Sequence, residues 1–286
     1  VGLRIAQKDG HHLARATFLY HFFVSHWLRP AHTCLEPLLG FKWSPEAADY
    51  FGVYFSAAFS VGRPLDLLEK DARQVSSALE DYKKSVTLEM CLPLFQANHN
   101  LQGESNDPLV LSGYFMDEKD FLKNCKAARA LQYILLNKLK VAVILGDWNV
   151  ASDISLKVLM ADEKLLKQPD ITTWFLLTFG GLPWLALART DQLNRASHAK
   201  KAKGFIQRLK KWASKGSIVC KAMHTFLLAE ESAKNAKTEV VLALFDECIA
   251  DVTSWSDTFY YNIRALVNER AGVFCLERNL DASKYL

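Results

Sequence analysis

Glycine and proline are scarce, 13 and 8 among 286 residues, too few for the tight turns of an all-β chain. The six cysteines, Cys34, Cys91, Cys125, Cys220, Cys248 and Cys275, form no C-x-x-C pair. That excludes ordinary zinc-ligand spacing and a dense disulfide framework, and points to reduced thiols in a cytoplasmic protein. The chain has no N-x-S/T sequon and no G-x-x-x-x-G-K-[ST], G-x-G-x-x-G, H-R-D or D-F-G signature, so no phosphate-binding loop or kinase core is expected here. D-D-x-x-D and paired E-x-x-H motifs are missing too, which leaves an all-helical enzyme of the terpenoid-synthase or di-iron type as a remote alternative. No basic, apolar and small-residue leader opens the chain, and its first residue is Val1, so it reads as a segment excised from a longer protein.

Long apolar runs are also rare. Only Ile171 to Ala188, ITTWFLLTFGGLPWLALA, reaches 18 residues without a charge. Gly180, Gly181 and Pro183 interrupt it, and no basic flank accompanies it. A buried helix, or two helices broken at GGLP, is expected here and not a membrane span.

What is present suits a folded core: half of the residues are apolar, 12% are aromatic, 23% are charged, and the formal charge is +4. Apolar residues recur at steps of three and four, which predicts an all-α chain. Ser44-Pro45-Glu46 and Arg63-Pro64-Leu65 read as helix starts, with Asp147, Thr190-Asp191 and Asp257-Thr258 as further caps. Turn-like breaks fall near Gly62, Gly103, Gly146, Thr190, Ala236 and Asn279, at steps of 41, 43, 44, 46 and 43 residues. Steps of this length, each holding two helices, predict a right-handed α-solenoid of tetratricopeptide-like helix pairs running continuously over 1–286. Leu286 is expected to close a last, uncapped helix.

VGRPLDLLEKDARQ, LGDWNVASDISLKV and NAKTEVVLALFDECI repeat one local pattern, a small or polar turn before an amphipathic helix. RLKKWASK (Arg208 to Lys215), FLLAEESAKNAKTEVVLALFDECIADV (Phe226 to Val252) and RALVNERAGVFCLERNLDASKYL (Arg264 to Leu286) extend it, together with RPAHTCLEPLLG and FSVGRPLDLLEKDARQV. With these strings the chain resembles the helical-repeat region of very large multidomain signalling ATPases. There, the repeats lie between protein-kinase-like and AAA-type (Orc1-like) domains and GAF, histidine-kinase or nucleotide-cyclase modules. The resemblance implies a non-catalytic protein-interaction and coupling scaffold, bound to neighbouring domains or a signalling partner. It brings no catalytic residue, cofactor or metal to these positions.

The sharpest local feature is again a lack: between Gln192 and Ala229 there is no acid, against nine cations. Drawn as a helix, Phe205, Ile206, Leu209, Trp212 and Ala213 fall on one face, with Lys203, Gln207, Lys210 and Lys211 opposite or beside it. Lys200, Lys201, Lys203, Arg208, Lys210, Lys211, Trp212 and Lys215 are the candidate partner-binding residues. Calmodulin, another acidic protein or an anionic surface would suit them, and a merely solvated face competes with all of these; no nucleic-acid partner is expected. His11, His12, His21, His26 and His32 are crowded, but their spacing sets no two on one helix face as metal ligands. Glu230 and Glu269 lie near apolar stripes and are expected to pair with Arg264, Arg270 or a neighbouring lysine. Trp27, Trp43, Phe51, Tyr54, Phe55 and Phe59 read as core before pocket.

Overall fold

Residues with apolar side chains three and four apart form the buried faces of helices, and no strand occurs among the described residues. The structure, a computed structural model, describes residues 51–125, 128–161, 171–255 and 261–285. The first five histidines, Ser44-Pro45-Glu46, Trp27, Trp43 and Asp257-Thr258 lie outside them. Eleven helices are described: α1 Phe51–Ser60, α2 Leu65–Asp81, α3 Ser85–Leu101, α4 Glu118–Asn124, α5 Ala128–Ile144, α6 Trp148–Ala161, α7 Ile171–Thr190, α8 Arg195–Ala213, α9 Ile218–Ser232, α10 Thr238–Trp255 and α11 Tyr261–Glu277. Each interval between successive sequence breaks holds two of them. By its contacts the chain divides into two compact units, at Val141 and Ala142 within the last turn of α5.

Three of the six breaks, at Gly62, Gly146 and Asn279, end helices by one recurring device. At Gly146 (φ 72°) the next amide, of Asp147, donates to Ala142 O at 2.9 Å, and the amide of Gly146 itself donates to Val143 O at 3.1 Å. This pair of bonds satisfies carbonyls that the end of α5 leaves open, and it requires a left-handed residue at the turn. Asn279 (φ 55°) closes α11 in the same way, with Leu280 N on Cys275 O at 2.9 Å, so the helix ends at Glu277 well before Leu286. Lys83 (φ 54°) closes α2, with Lys84 N on Leu79 O at 2.9 Å. At the starts, Asp147 caps α6 through Val150 N at 3.0 Å. Pro64 stands one place before the expected position, at the N-cap of α2, with the helix beginning at Leu65. Asp191 is a turn residue, Asn194 being the N-cap of α8.

In the first unit α1, α2 and α3 pack on one another. Tyr54, Phe55 and Phe59 are buried, and Phe55 meets Phe95 edge-on at 4.6 Å. The α3 residues Gln96 and Asn100, one turn apart, anchor the excursion that precedes α4. Gln96 Oε1 accepts from Phe115 N at 2.9 Å and Met116 N at 3.3 Å, and Asn100 Nδ2 donates to Pro108 O at 3.1 Å and Val110 O at 2.8 Å. Buried amides thereby meet loop backbone groups that would otherwise stay unpaired.

In the second unit α7 packs against α6, α8 and α9, and α9, α10 and α11 follow as successive neighbours. The GGLP segment does not break α7. Pro183 removes one backbone donor, yet the helix runs through it and is buried from Thr173 to Ala188. The glycines explain the density. A Cβ on Gly180 would lie 2.6 Å from Phe205 Cε1, and one on Gly181 would lie 2.8 Å from Leu227 Cδ1 and 3.0 Å from Phe205 Cβ. Ser155 Oγ on α6 donates to Gly180 O at 3.0 Å. Three helices thus approach the bare backbone of α7. No helix among the described residues is long and apolar enough to cross a membrane.

Replacing Lys83 by glycine removes a Cβ from a left-handed position, and an increase in stability of about 1 kcal/mol is expected by denaturant titration. Gly181→Val places methyls where Leu227 and the base of Phe205 stand, and a loss of about 2 kcal/mol is expected in the same measurement.

Candidate functional site

Helix α8 carries the cations, and its orientation follows from its apolar side. At 100° per residue, Ala202, Phe205, Ile206 and Leu209 converge on one stripe. All four are buried, and Phe205 fills the space left by Gly180 and Gly181. The opposite line of the helix is Lys200, Gln207 and Lys211, flanked by Lys203 and Lys210, and all five are exposed. None of these four lysines forms an ion pair among the described residues. A partner therefore meets the lysines and not the stripe.

The remaining predicted residues separate from that line. Lys201 lies along the other flank with its Nζ 4.0 Å above the ring of buried Trp184, a cation–π contact. His198 stacks on the same indole, centroids 5.5 Å apart. Arg208 and Trp212 are half-buried, and Lys215 Nζ sits 5.0 Å from the Trp212 ring centre. Lys221, on α9, pairs with Asp251 at 3.3 Å. The positive surface reaches its neighbours: burial first, then the charge of Lys210, lowers the pKa of His224.

The residues that sequence reasoning missed are Trp184, His198 and, above all, Leu193, which is 96% exposed in the turn before α8. Its signal was an apolar residue inside the polar string T-D-Q-L-N-R. Asp191 shapes that turn. Its carboxylate accepts from the amides of Leu193 and Asn194, both at 3.1 Å, from Asn194 Nδ2 at 2.9 Å, and from His198 Nε2 at 3.1 Å. The Asn194 and His198 bonds hold its pKa at about 2.

Glu230 meets the expected partner and a second one. Arg270 Nε and Nη2 donate to its two oxygens at 2.7 and 3.1 Å, and Arg189 Nη1 donates at 2.9 Å. Arg189 also bonds Glu277, so one carboxylate ties α7, α9 and α11. Burial pushes the Glu230 pKa up, but the two guanidiniums outweigh it and bring the net value below the ordinary one. Glu269 is exposed and not part of this group.

In the first unit a cleft of about 670 Å³ is lined by Asp66, Glu69, Arg73, His99, Gln102 and Glu104, among others. Glu69 accepts from Arg73 Nε at 3.0 Å and Gln102 Nε2 at 2.6 Å, with His99 Nδ1 at 3.1 Å. These groups answer one another and hold α2 to the end of α3. Burial pushes the Cys91 and Cys220 thiols up to about 12, so both stay protonated and unreactive at neutral pH. No group of three or more His, Cys, Asp or Glu that could hold a metal occurs among the described residues. Comparison with known protein families, curated proteins and solved structures finds no match.

Glu230→Gln leaves two buried guanidiniums without their counter-charge, and a loss of about 3–5 kcal/mol is expected in denaturant titration. Because the folded-state pKa of Glu230 is depressed, its contribution is complete above the ordinary carboxylate range and is lost as the pH falls through the folded value. The stability difference between the parent chain and the Glu230→Gln variant should therefore shrink below about pH 4.

Proposed function

We propose that this chain is a non-catalytic interaction and coupling scaffold. In this reading its helices are tetratricopeptide-like pairs of a right-handed α-solenoid, placed between the ATPase and output modules of a longer cytoplasmic signalling protein. The observation that carries the proposal is the division of labour on α8: its apolar stripe is committed to packing on Gly180 and Gly181, while its lysines face outward on a fixed backbone. Contact is then made by side chains displayed on rigid helices, as in helical-repeat proteins. The two helices in each break interval support the pairing, as does the packing of α7 on α9, its second neighbour in sequence.

The polypeptide encoded on each side of this segment, produced separately, is the probe. At least one of them should bind the purified chain in isothermal titration with a dissociation constant in the micromolar range or tighter, and the chain alone should turn over no ATP. Absence of binding by either flank, or steady ATP hydrolysis by the chain alone, would overturn the proposal.

A further inference from the structure

The outward line of α8 has a composition that narrows its counterpart. Its exposed residues are lysines with Gly204 and Gln207, while Arg208 at its flank is half-buried, and no aromatic residue is exposed on it. Protein–protein interfaces are enriched in tryptophan, tyrosine and arginine at their energetic centres and depleted in lysine. Lysine is a point charge on a flexible stem. It lacks the planar fork that reads a carboxylate in two places, and clusters of it along one helix face suit the anionic headgroups of a lipid surface.

Leu193 adds a second and independent observation. Its side chain is 96% exposed, so it contributes nothing to the core. It stands in the turn directly before α8, its neighbours Gln192, Asn194, Ala196 and Ser197 are exposed and uncharged, and the charged Asp191 and Arg195 are half-buried. The turn is fixed, because Asp191 ties the amides of Leu193 and Asn194 and the ring of His198 to one carboxylate. An exposed apolar side chain on a fixed turn therefore stands before the N-terminal end of a row of cations. Nucleic acid would offer phosphates to the lysines but no apolar phase to the leucine.

We propose that the outer face of α8, with Leu193 at its end, docks on an anionic lipid bilayer. Lys200, Lys203, Lys210 and Lys211 would meet the headgroups while Leu193 enters the boundary with the acyl chains. The helix lies on the surface and spans nothing. This rests on the reading of α8 as a contact face and assigns that face to lipid, leaving the other helices of the scaffold to the flanking polypeptides.

The test is co-sedimentation of the full chain with vesicles of phosphatidylcholine alone and of phosphatidylcholine with phosphatidylserine. Binding is expected only to vesicles holding phosphatidylserine, and it should weaken with added salt. The triple variant Lys200→Ala, Lys203→Ala, Lys211→Ala should partition roughly a hundredfold less, at about fivefold per lysine. Leu193→Ser should lose about tenfold and leave the salt dependence unchanged. All four side chains are exposed, so the variants should keep the helicity and melting temperature of the parent chain. Equal binding to neutral vesicles, no vesicle binding, an unaltered affinity in Leu193→Ser, or lysine-dependent binding to duplex DNA with none to vesicles would each overturn the proposal. If vesicles fail while a flanking polypeptide binds, the lipid assignment falls and the scaffold stands. If vesicles bind as described while both flanks fail, the scaffold falls and the docking face stands.

Discussion

The second unit depends on one close approach. Where α7 presents Gly180 and Gly181, Phe205 of α8 and Leu227 of α9 come within distances that leave no room for a Cβ. Glycine inside a helix costs roughly 1 kcal/mol of propensity relative to alanine, and here two of them are consecutive. The return is dense apolar packing on a helix buried almost throughout, with Phe205 and Leu227 seated against bare backbone. Dispersion and burial favour such contacts strongly because protein interiors are packed close to crystalline density. Ser155 adds a hydrogen bond to the Gly180 carbonyl from a third helix. The position of α8, and with it the direction of every lysine on it, follows from this crossing.

Polar groups that enter the interior are handled by pairing. Glu230 is fully buried and answered by Arg270 and Arg189, so the cost of desolvation is met by charge-assisted bonds from two different helices. In the first unit Gln96 and Asn100 play the neutral version of the same part, taking up the backbone of the excursion before α4. Asp71 accepts from the Tyr54 hydroxyl at 3.0 Å and from Arg63 at 3.2 Å. The buried carboxylates Glu230 and Asp71 thus join one helix to another, and the two amides hold a loop. The four outward lysines of α8, in contrast, carry their charge into solvent.

Much of the helical frame was legible in the sequence because its causes are local. Gly62, Gly103 and Gly146 take left-handed backbone angles, as does Asn279, and each stands where a helix ends. Steps of three and four placed Leu68, Ala72, Val75 and Leu79 on the buried side of α2, and Phe205, Ile206 and Leu209 on that of α8. Lys83 was not legible, since a left-handed lysine carries no compositional signal and follows from the chain having to turn between α2 and α3. GGLP was ambiguous for a physical reason. Glycine and proline are helix breakers by propensity, and only the neighbouring helices make an unbroken α7 favourable.

The candidate site divides along the same boundary. The sequence by itself determined that a helix over 200–215 would carry a basic face and an apolar stripe, because charge and periodicity are properties of the chain. It also made Arg270 an expected partner for Glu230, since an isolated charge is too costly to bury. The tertiary structure alone decided that the stripe faces inward, that Trp184 accepts Lys201 and His198, that Arg189 joins Glu230 from another helix, and that Leu193 stands free at the end of the lysine row. These depend on which helices meet, and side chains 14 to 41 positions apart in sequence come together only through packing.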